Sequence, residues 1–224
     1  MKPLIKVFLI IAAFFAATFL PIKFIGILTV EQIEGWLIQA RELSPIYVGT
    51  IVAALLFADL FIAIPTLTIT ILSGYFLGHI YGTVSALSGV ILAGLCGYTL
   101  SRYYGDVILG FLVKDEDKRN DVITTFQKHG FMMILLSRAM PILPEVTACL
   151  SGMTGMKFSK FLLAWLISSV PYILIASYAG SISSIENPKP AIFAAIGLSL
   201  LLWGSWFLYQ RAQNKEKAKI IFKD

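Results

Sequence analysis

Charge is scarce in this chain, and so are the residues that most often carry catalysis. Of its 224 residues only 14% are Asp, Glu, Lys or Arg, where a soluble domain carries about 25%, which excludes a fold with a wholly aqueous surface. The two cysteines, Cys96 and Cys149, both lie inside apolar segments, so there is no disulfide framework and they read as packing residues. His79 and His129 are the only histidines, without an H-x-x-x-H or C-x-x-C beside them, and no metal site or cofactor is expected. G-x-S-x-G is missing too. The pairs Ser73-Gly74, Ser88-Gly89 and Ser151-Gly152 lack the glycine two residues upstream that an intramembrane serine protease places there. No catalytic residue is assigned, and an enzyme is not expected.

What is abundant is apolar sequence. Hydrophobic residues make up 58% of the chain, and the mean hydropathy of +0.82 marks an integral membrane protein. A formal charge of +5 raises the question of a nucleic-acid partner. None is expected, because the basic residues lie between or beyond the apolar runs, where membrane topology accounts for them.

Lys2 and Lys6 precede an apolar run from Val7 to Leu20 that resembles a signal peptide but lacks a clean small-residue cleavage site, so a retained first span is expected. A polar segment follows from Glu31 to Glu42. Ser44-Pro45 then reads as an N-cap with proline in the first turn. From Ile46 to Leu100 the chain is almost wholly apolar, with Asp59 and His79 its few titratable groups. Pro65 cuts that stretch, and Thr66, Thr68 and Thr70 stand ready to satisfy the backbone groups it frees. Gly74 and Gly78 form a G-x-x-x-G, a spacing that lets helices approach closely in lipid. Gly105 to Gln127 is the one long hydrophilic stretch, and two readings stay open for it: a short interfacial helix, from the spacing of Val122, Ile123 and Phe126, or a solvated charged loop. Spans are expected again over Phe158–Tyr178, kinked at Pro171, and over Ala191–Leu208.

Between them lies Gly130 to Lys160, where an apolar helical piece meets Arg138, breaks at Pro141 and Pro144, carries Glu145 and resumes to Gly155. The piece before Pro141 is too short to cross a bilayer, which takes roughly 20 residues at about 1.5 Å each. The expected shape is a hairpin that enters and leaves by the same side. Charged groups and free backbone at such a turn persist only where protein or a wet cavity surrounds them, so Arg138 is a functional candidate by default.

Read with four spans and two such hairpins, the basic residues divide unevenly. Fourteen, from Lys2 and Lys6 through the Arg102–Lys128 and Lys157–Lys160 regions to the C-terminal tail, share one side. Lys23, Arg41 and Lys189 occupy the other. That asymmetry puts both termini in the cytoplasm and makes the hairpins enter from opposite faces. A faint repeat agrees: Asp59 precedes Pro65 by six residues as Arg138 precedes Pro144, and Ser73-Gly74 and Ser151-Gly152 follow at nearly equal distances. Inverted repeats of broken helices are a common way to build a transport site.

Arg138-Ala-Met-Pro141-Ile-Leu-Pro144, then Ser151-Gly152, Phe158, Phe161 and Pro171, with Pro65, Gly74, Gly78, Gly82, Gly97, Arg102 and Gly105 upstream, resembles the DedA / VTT-domain (SNARE-associated) superfamily. The branch it looks most like carries R-x-x-P-x-x-P. The resemblance covers about Tyr47 to Ser184 and implies movement of lipids across membranes, in some members dependent on the proton gradient. Two departures stand out: Pro144 occupies the place of a second arginine, and Thr66, Leu67 and Thr68 follow the first hairpin proline where an acid is usual.

The expected fold is therefore all-α and polytopic, with four transmembrane helices and two opposed re-entrant helical hairpins. Residues 1–45 hold the first span and an external polar segment, 46–184 the core with both hairpins, and 185–224 the last span and a basic tail. Pro65, Pro141, Pro144, Gly74, Gly78 and Gly152 are the expected hairpin formers. Arg138, Glu145 and Asp59 are the expected substrate-binding residues: the guanidinium suits a lipid phosphate, and the two carboxyls are candidate proton carriers. Alternatives for each are structural. Arg138 would tie down hairpin carbonyls or an acid, and Glu145 would cap the helix after Pro144. The expected function is a lipid translocase or scramblase in a bacterial plasma membrane, with phosphate-bearing lipids and protons as partners. A proton-coupled carrier of a small polar solute and a non-transporting scaffold stay open.

Overall fold

A computed structural model describes residues 2–25, 35, 44–62, 64–140, 142–184 and 187–221. Most of the polar segment Glu31–Glu42, including Arg41, and the expected hairpin former Pro141 lie outside the described residues. Among the described residues the regular structure is all helical: α1 (Lys2–Ile25), α2 (Pro45–Ala58), α3 (Thr66–Tyr103), α4 (Gly105–Leu112), α5 (Glu116–Leu136), α6 (Leu143–Met153), α7 (Phe158–Ser181) and α8 (Lys189–Ile221). Three of them contain stretches long and apolar enough to cross a membrane: Thr66–Tyr103, Phe158–Ser181 and Lys189–Leu208. The remaining expected span, Val7–Leu20, is helical as part of α1, and its Pro3–Ala13 portion is an apolar helix shorter than a crossing needs by itself.

Helix α2 starts as its sequence requires, with Ser44 extended and its hydroxyl accepting from the Ile46 N–H at 3.3 Å, and Pro45 in the first turn. It stops at Asp59. Pro65, which has no N–H to give, stands immediately before α3. Between the two the chain reverses: a Cβ placed on Gly49 would lie 3.8 Å from Leu77 Cδ1, so α2 and residues 66–77 run side by side in opposite directions. Gly78 then turns the chain again, with φ 75° and ψ 171°, a conformation open essentially to glycine alone. Beyond it Ser73 Oγ donates to Gly82 O at 3.2 Å, whereas nine residues of straight helix would separate them by about 13.5 Å. The G-x-x-x-G thus divides its labour: Gly74 makes a close helix contact, and Gly78 makes a turn with open space around it. Residues 79–103 then form a long arm of about 37 Å, enough to cross the roughly 30 Å hydrocarbon core.

The hydrophilic stretch after α3 is more regular than its composition suggests. In α4 Leu109 is buried while Val107 and Phe111 are exposed. Asp115 caps α5 through the N–H groups of Asp117 and Lys118, and the helix continues without a break to Leu136, burying Val122 and Phe126. The short interfacial helix expected around Phe126 is therefore the first part of a helix that leads directly into the second break. There a 3-10 turn, Ser137–Ala139, interrupts the ladder, and Ile142 sits at φ 73°, a left-handed conformation costly for a β-branched residue. Helix α6 then returns. Gln127 Nε2 donates to Thr154 O at 3.0 Å, joining the two arms far from the break. Gly155, at φ 70°, turns the chain into α7.

The two units interlock. The long arm of α3 and α7 run antiparallel, paired by Ser177 Oγ to His79 O at 3.2 Å, Trp165 Nε1 to Val90 O at 3.2 Å, and the Tyr98 and Phe161 rings stacked with centroids 4.7 Å apart. Each returning arm packs on the long helix of the other unit. Gly74 faces the Ser177 carbonyl and Gly180 the Ile71 carbonyl, while Gly152 faces the backbone of Tyr98 and Arg102 and Gly105 that of Met153. The close contacts are thus reciprocal between the two units. Helix α8 lies at the edge with Phe193, Leu200, Leu201 and Phe207 exposed.

Candidate functional site

The two breaks meet. Asp59, Ile64, Pro65 and Thr66 of the first and Arg138, Ile142, Pro144 and Glu145 of the second line one cavity of about 430 Å³, to which α7 adds Tyr172 and α8 adds Ser199. That volume lies within the range of small-molecule sites, about 300–1,000 Å³. The three residues expected to bind substrate are brought together here, although Asp59 and Arg138 are 79 positions apart in the chain.

Asp59 is buried, and both its oxygens are engaged by its own break. Oδ1 accepts from the Ile64 N–H at 2.7 Å and Oδ2 from Thr66 Oγ1 at 2.6 Å. These bonds bridge the residues Pro65 separates and hold the end of α2 against the start of α3. Glu145 is the third residue of α6 and lines the same cavity as Asp59. An acid in the first turn of a helix is favourable by about 0.3–1 kcal/mol.

Arg138 sits on the 3-10 turn, where its side chain leaves the break toward α7. Nη2 donates to Ser169 Oγ at 2.8 Å, and Nε is buried without a hydrogen-bond partner. The guanidinium carbon lies 5.6 Å from the centre of the Trp165 ring and 5.3 Å from that of Tyr172. Sequence reasoning missed Trp165, Ser169 and Tyr172. The available signal was their spacing: four and three residues apart, they share a face of a helix otherwise read only as a span. Among the described residues no three His, Cys, Asp or Glu side chains gather as metal ligands. Cys149 and Cys96 are free and partly buried.

These features define an α-helical integral membrane protein whose polar centre is made by two interlocked broken helices. The chain belongs to the VTT domain family, whose profile matches residues 64–182, from the first break to the end of α7. It is 28% identical over 171 residues to the uncharacterized protein YqeD of Bacillus subtilis (strain 168), covering 71% of this chain and 81% of that protein. It is 25% identical over 157 residues to an uncharacterized membrane protein of Buchnera aphidicola subsp. Schizaphis graminum, covering 62% of this chain and 61% of the other. No solved structure matches it.

Proposed function

We propose that this protein moves lipids across the bilayer by sheltering a phosphate-bearing headgroup in the cavity between the breaks while the acyl chains stay in lipid. The observation that carries this reading is Arg138: a guanidinium at the centre of an apolar helical fold, with a buried N–H unpaired, beside a cavity sized for a headgroup. Guanidinium presents donors in a planar fork suited to phosphate oxygens. A charge at the bilayer centre costs about 2.5–3.5 kcal/mol on insertion scales, so it is retained where it does something. In this reading both hairpins are re-entrant, one from each face of a bacterial plasma membrane with cytoplasmic termini, and four helices span. The placement of Asp59 and Glu145 on one cavity wall favours one second reading, a proton-coupled carrier of a small polar solute, because neighbouring carboxyls beside a solute site suit proton coupling.

Purified protein in vesicles should accelerate dithionite quenching of a labelled phospholipid or exchange of a polyprenyl phosphate, and Arg138→Ala should abolish the acceleration. Undiminished flux in that variant would make Arg138 structural. Gradient-driven solute uptake without lipid movement would favour the carrier, and neither activity would favour a scaffold. Re-entrance is tested separately in a background without Cys96 and Cys149. Tyr47→Cys and Ile80→Cys should label from one face, and Glu116→Cys and Lys157→Cys from the other; labelling of either pair from opposite faces would overturn the hairpins.

A further inference from the structure

We propose that Trp165, Ser169 and Tyr172 of α7 are positioning residues that hold the Arg138 guanidinium apart from the cavity's two carboxyls, keeping its Nε edge for a phosphate oxygen. The choice of ligand rests on the reading above; the cradle itself rests on geometry. Seven residues of α7 separate Trp165 from Tyr172, about 10.5 Å along the axis. The guanidinium carbon lies 5.6 Å from one ring centre and 5.3 Å from the other, so it sits between them, with the Ser169 hydroxyl at the middle of the gap. Both rings are within the roughly 6 Å at which an aromatic face attracts a cation. Tyr172 is on the cavity wall as well.

An arginine sharing a cavity with Asp59 and Glu145 would ordinarily close on them as an ion pair. No such pair forms within 4.0 Å. Asp59 is spoken for by Ile64 and Thr66, and the aromatic faces with the Ser169 oxygen supply the electrostatic stabilisation a carboxylate would otherwise give. Nε is left buried without a partner, in a position where an unpaired donor is costly and an incoming acceptor removes that cost. The cradle is anchored from the first unit. The Trp165 indole donates to Val90 O at 3.2 Å and lies over Gly94, where any Cβ would collide with its ring. Arg138 of the second unit is thus oriented through Trp165 by α3 of the first.

The test uses full-length protein in lipid nanodiscs, with phenylglyoxal as the arginine reagent and mass spectrometry to read each site. Exposed Arg102 is the internal reference. Ser169→Ala, which removes one hydrogen bond to a charged group, should raise the modification rate of Arg138 relative to Arg102 by roughly tenfold. Tyr172→Leu should raise it similarly, and Tyr172→Phe, which keeps the ring, should match the wild type. Thermal midpoints within a few degrees of wild type identify variants that remain folded. In the vesicle assay, Ser169→Ala should lower flux at small mole fractions of labelled phospholipid and approach the wild-type maximum at large ones, a shift in half-saturation that general loss of fold would not give. Unchanged Arg138 reactivity in folded Ser169→Ala and Tyr172→Leu overturns the cradle, whatever the flux. If reactivity rises as expected while wild-type protein moves no lipid, the cradle stands and the lipid reading falls.

Discussion

Replacing Asp59 separates what its shape does from what its charge does. In Asp59→Ala two short hydrogen bonds to a buried carboxyl disappear, from the Ile64 N–H at 2.7 Å and Thr66 Oγ1 at 2.6 Å. At about 1.5–3 kcal/mol each, the loss is about 3–6 kcal/mol, a large part of a total stability of about 5–15 kcal/mol. Asp59→Asn keeps a carbonyl oxygen for Ile64 and offers an N–H to the Thr66 oxygen, whose own hydrogen can turn to Ile64 O, 3.4 Å away. Its loss should be about 1–2 kcal/mol, the difference between charged and neutral hydrogen bonds. Both variants can be unfolded by SDS titration in mixed micelles and followed by tryptophan fluorescence, and their flux measured in vesicles. A stable but inactive Asp59→Asn would assign the charge to function. The reasoning fails if Asp59→Ala costs less than about 1 kcal/mol, or if Asn is as damaging as Ala.

Other substitutions probe separate links. Gly74→Ala and Gly152→Ala each drive a Cβ into the backbone of the other unit, so each should destabilise by more than the about 1–3 kcal/mol usual for overpacking, measured by the same unfolding titration. Gly78→Ala has open space but the wrong φ, so its cost should be purely conformational, about 1–3 kcal/mol. Gly94→Ala should displace Trp165 and red-shift its emission, raising Arg138 reactivity without touching Arg138 itself. Outside the membrane, the Lys118 ammonium and the N–H groups it shares a turn with hold the Asp115 carboxyl below its usual 3.8. A depressed carboxyl pKa contributes stability above 3.8 that is lost as pH falls through the lowered folded value, so the protection of the Asp117 and Lys118 amides, taken relative to their intrinsic exchange rates, should fall on acidification below 3.8, and Asp115→Asn should remove that step.

Much of this architecture is legible in local chemistry. Proline lacks a donor and a serine before it can cap, so Ser44-Pro45 announces the start of α2 and Pro65 the start of α3 without reference to any distant residue. An arginine just ahead of two prolines in an apolar run likewise marks a candidate polar site. Other features are not written locally. Glycine serves turns and close contacts equally well, and the sequence does not say that Gly74 is a contact while Gly78 is a turn. Composition also left the stretch after Tyr104 open between a polar loop and a short helix, although with Asp115 as a cap and no proline before Pro141 the chain runs as one helix from Glu116 to Leu136.

Hydropathy, proline placement and capping, all short-range properties, determined by themselves that this chain is a set of apolar helices broken near Pro65 and near Pro141 and Pro144; that the second break falls at the 3-10 turn Ser137–Ala139, with Pro144 already inside α6, was settled by the structure. Only the tertiary structure decided what those breaks enclose. The two units cross, each returning arm lying on the other's long helix, and that long-range packing sets Asp59, Arg138 and Glu145 around one cavity. It also gives Arg138 the partners Trp165, Ser169 and Tyr172, which no local pattern couples to it, because a helix face acquires meaning only from what is packed against it.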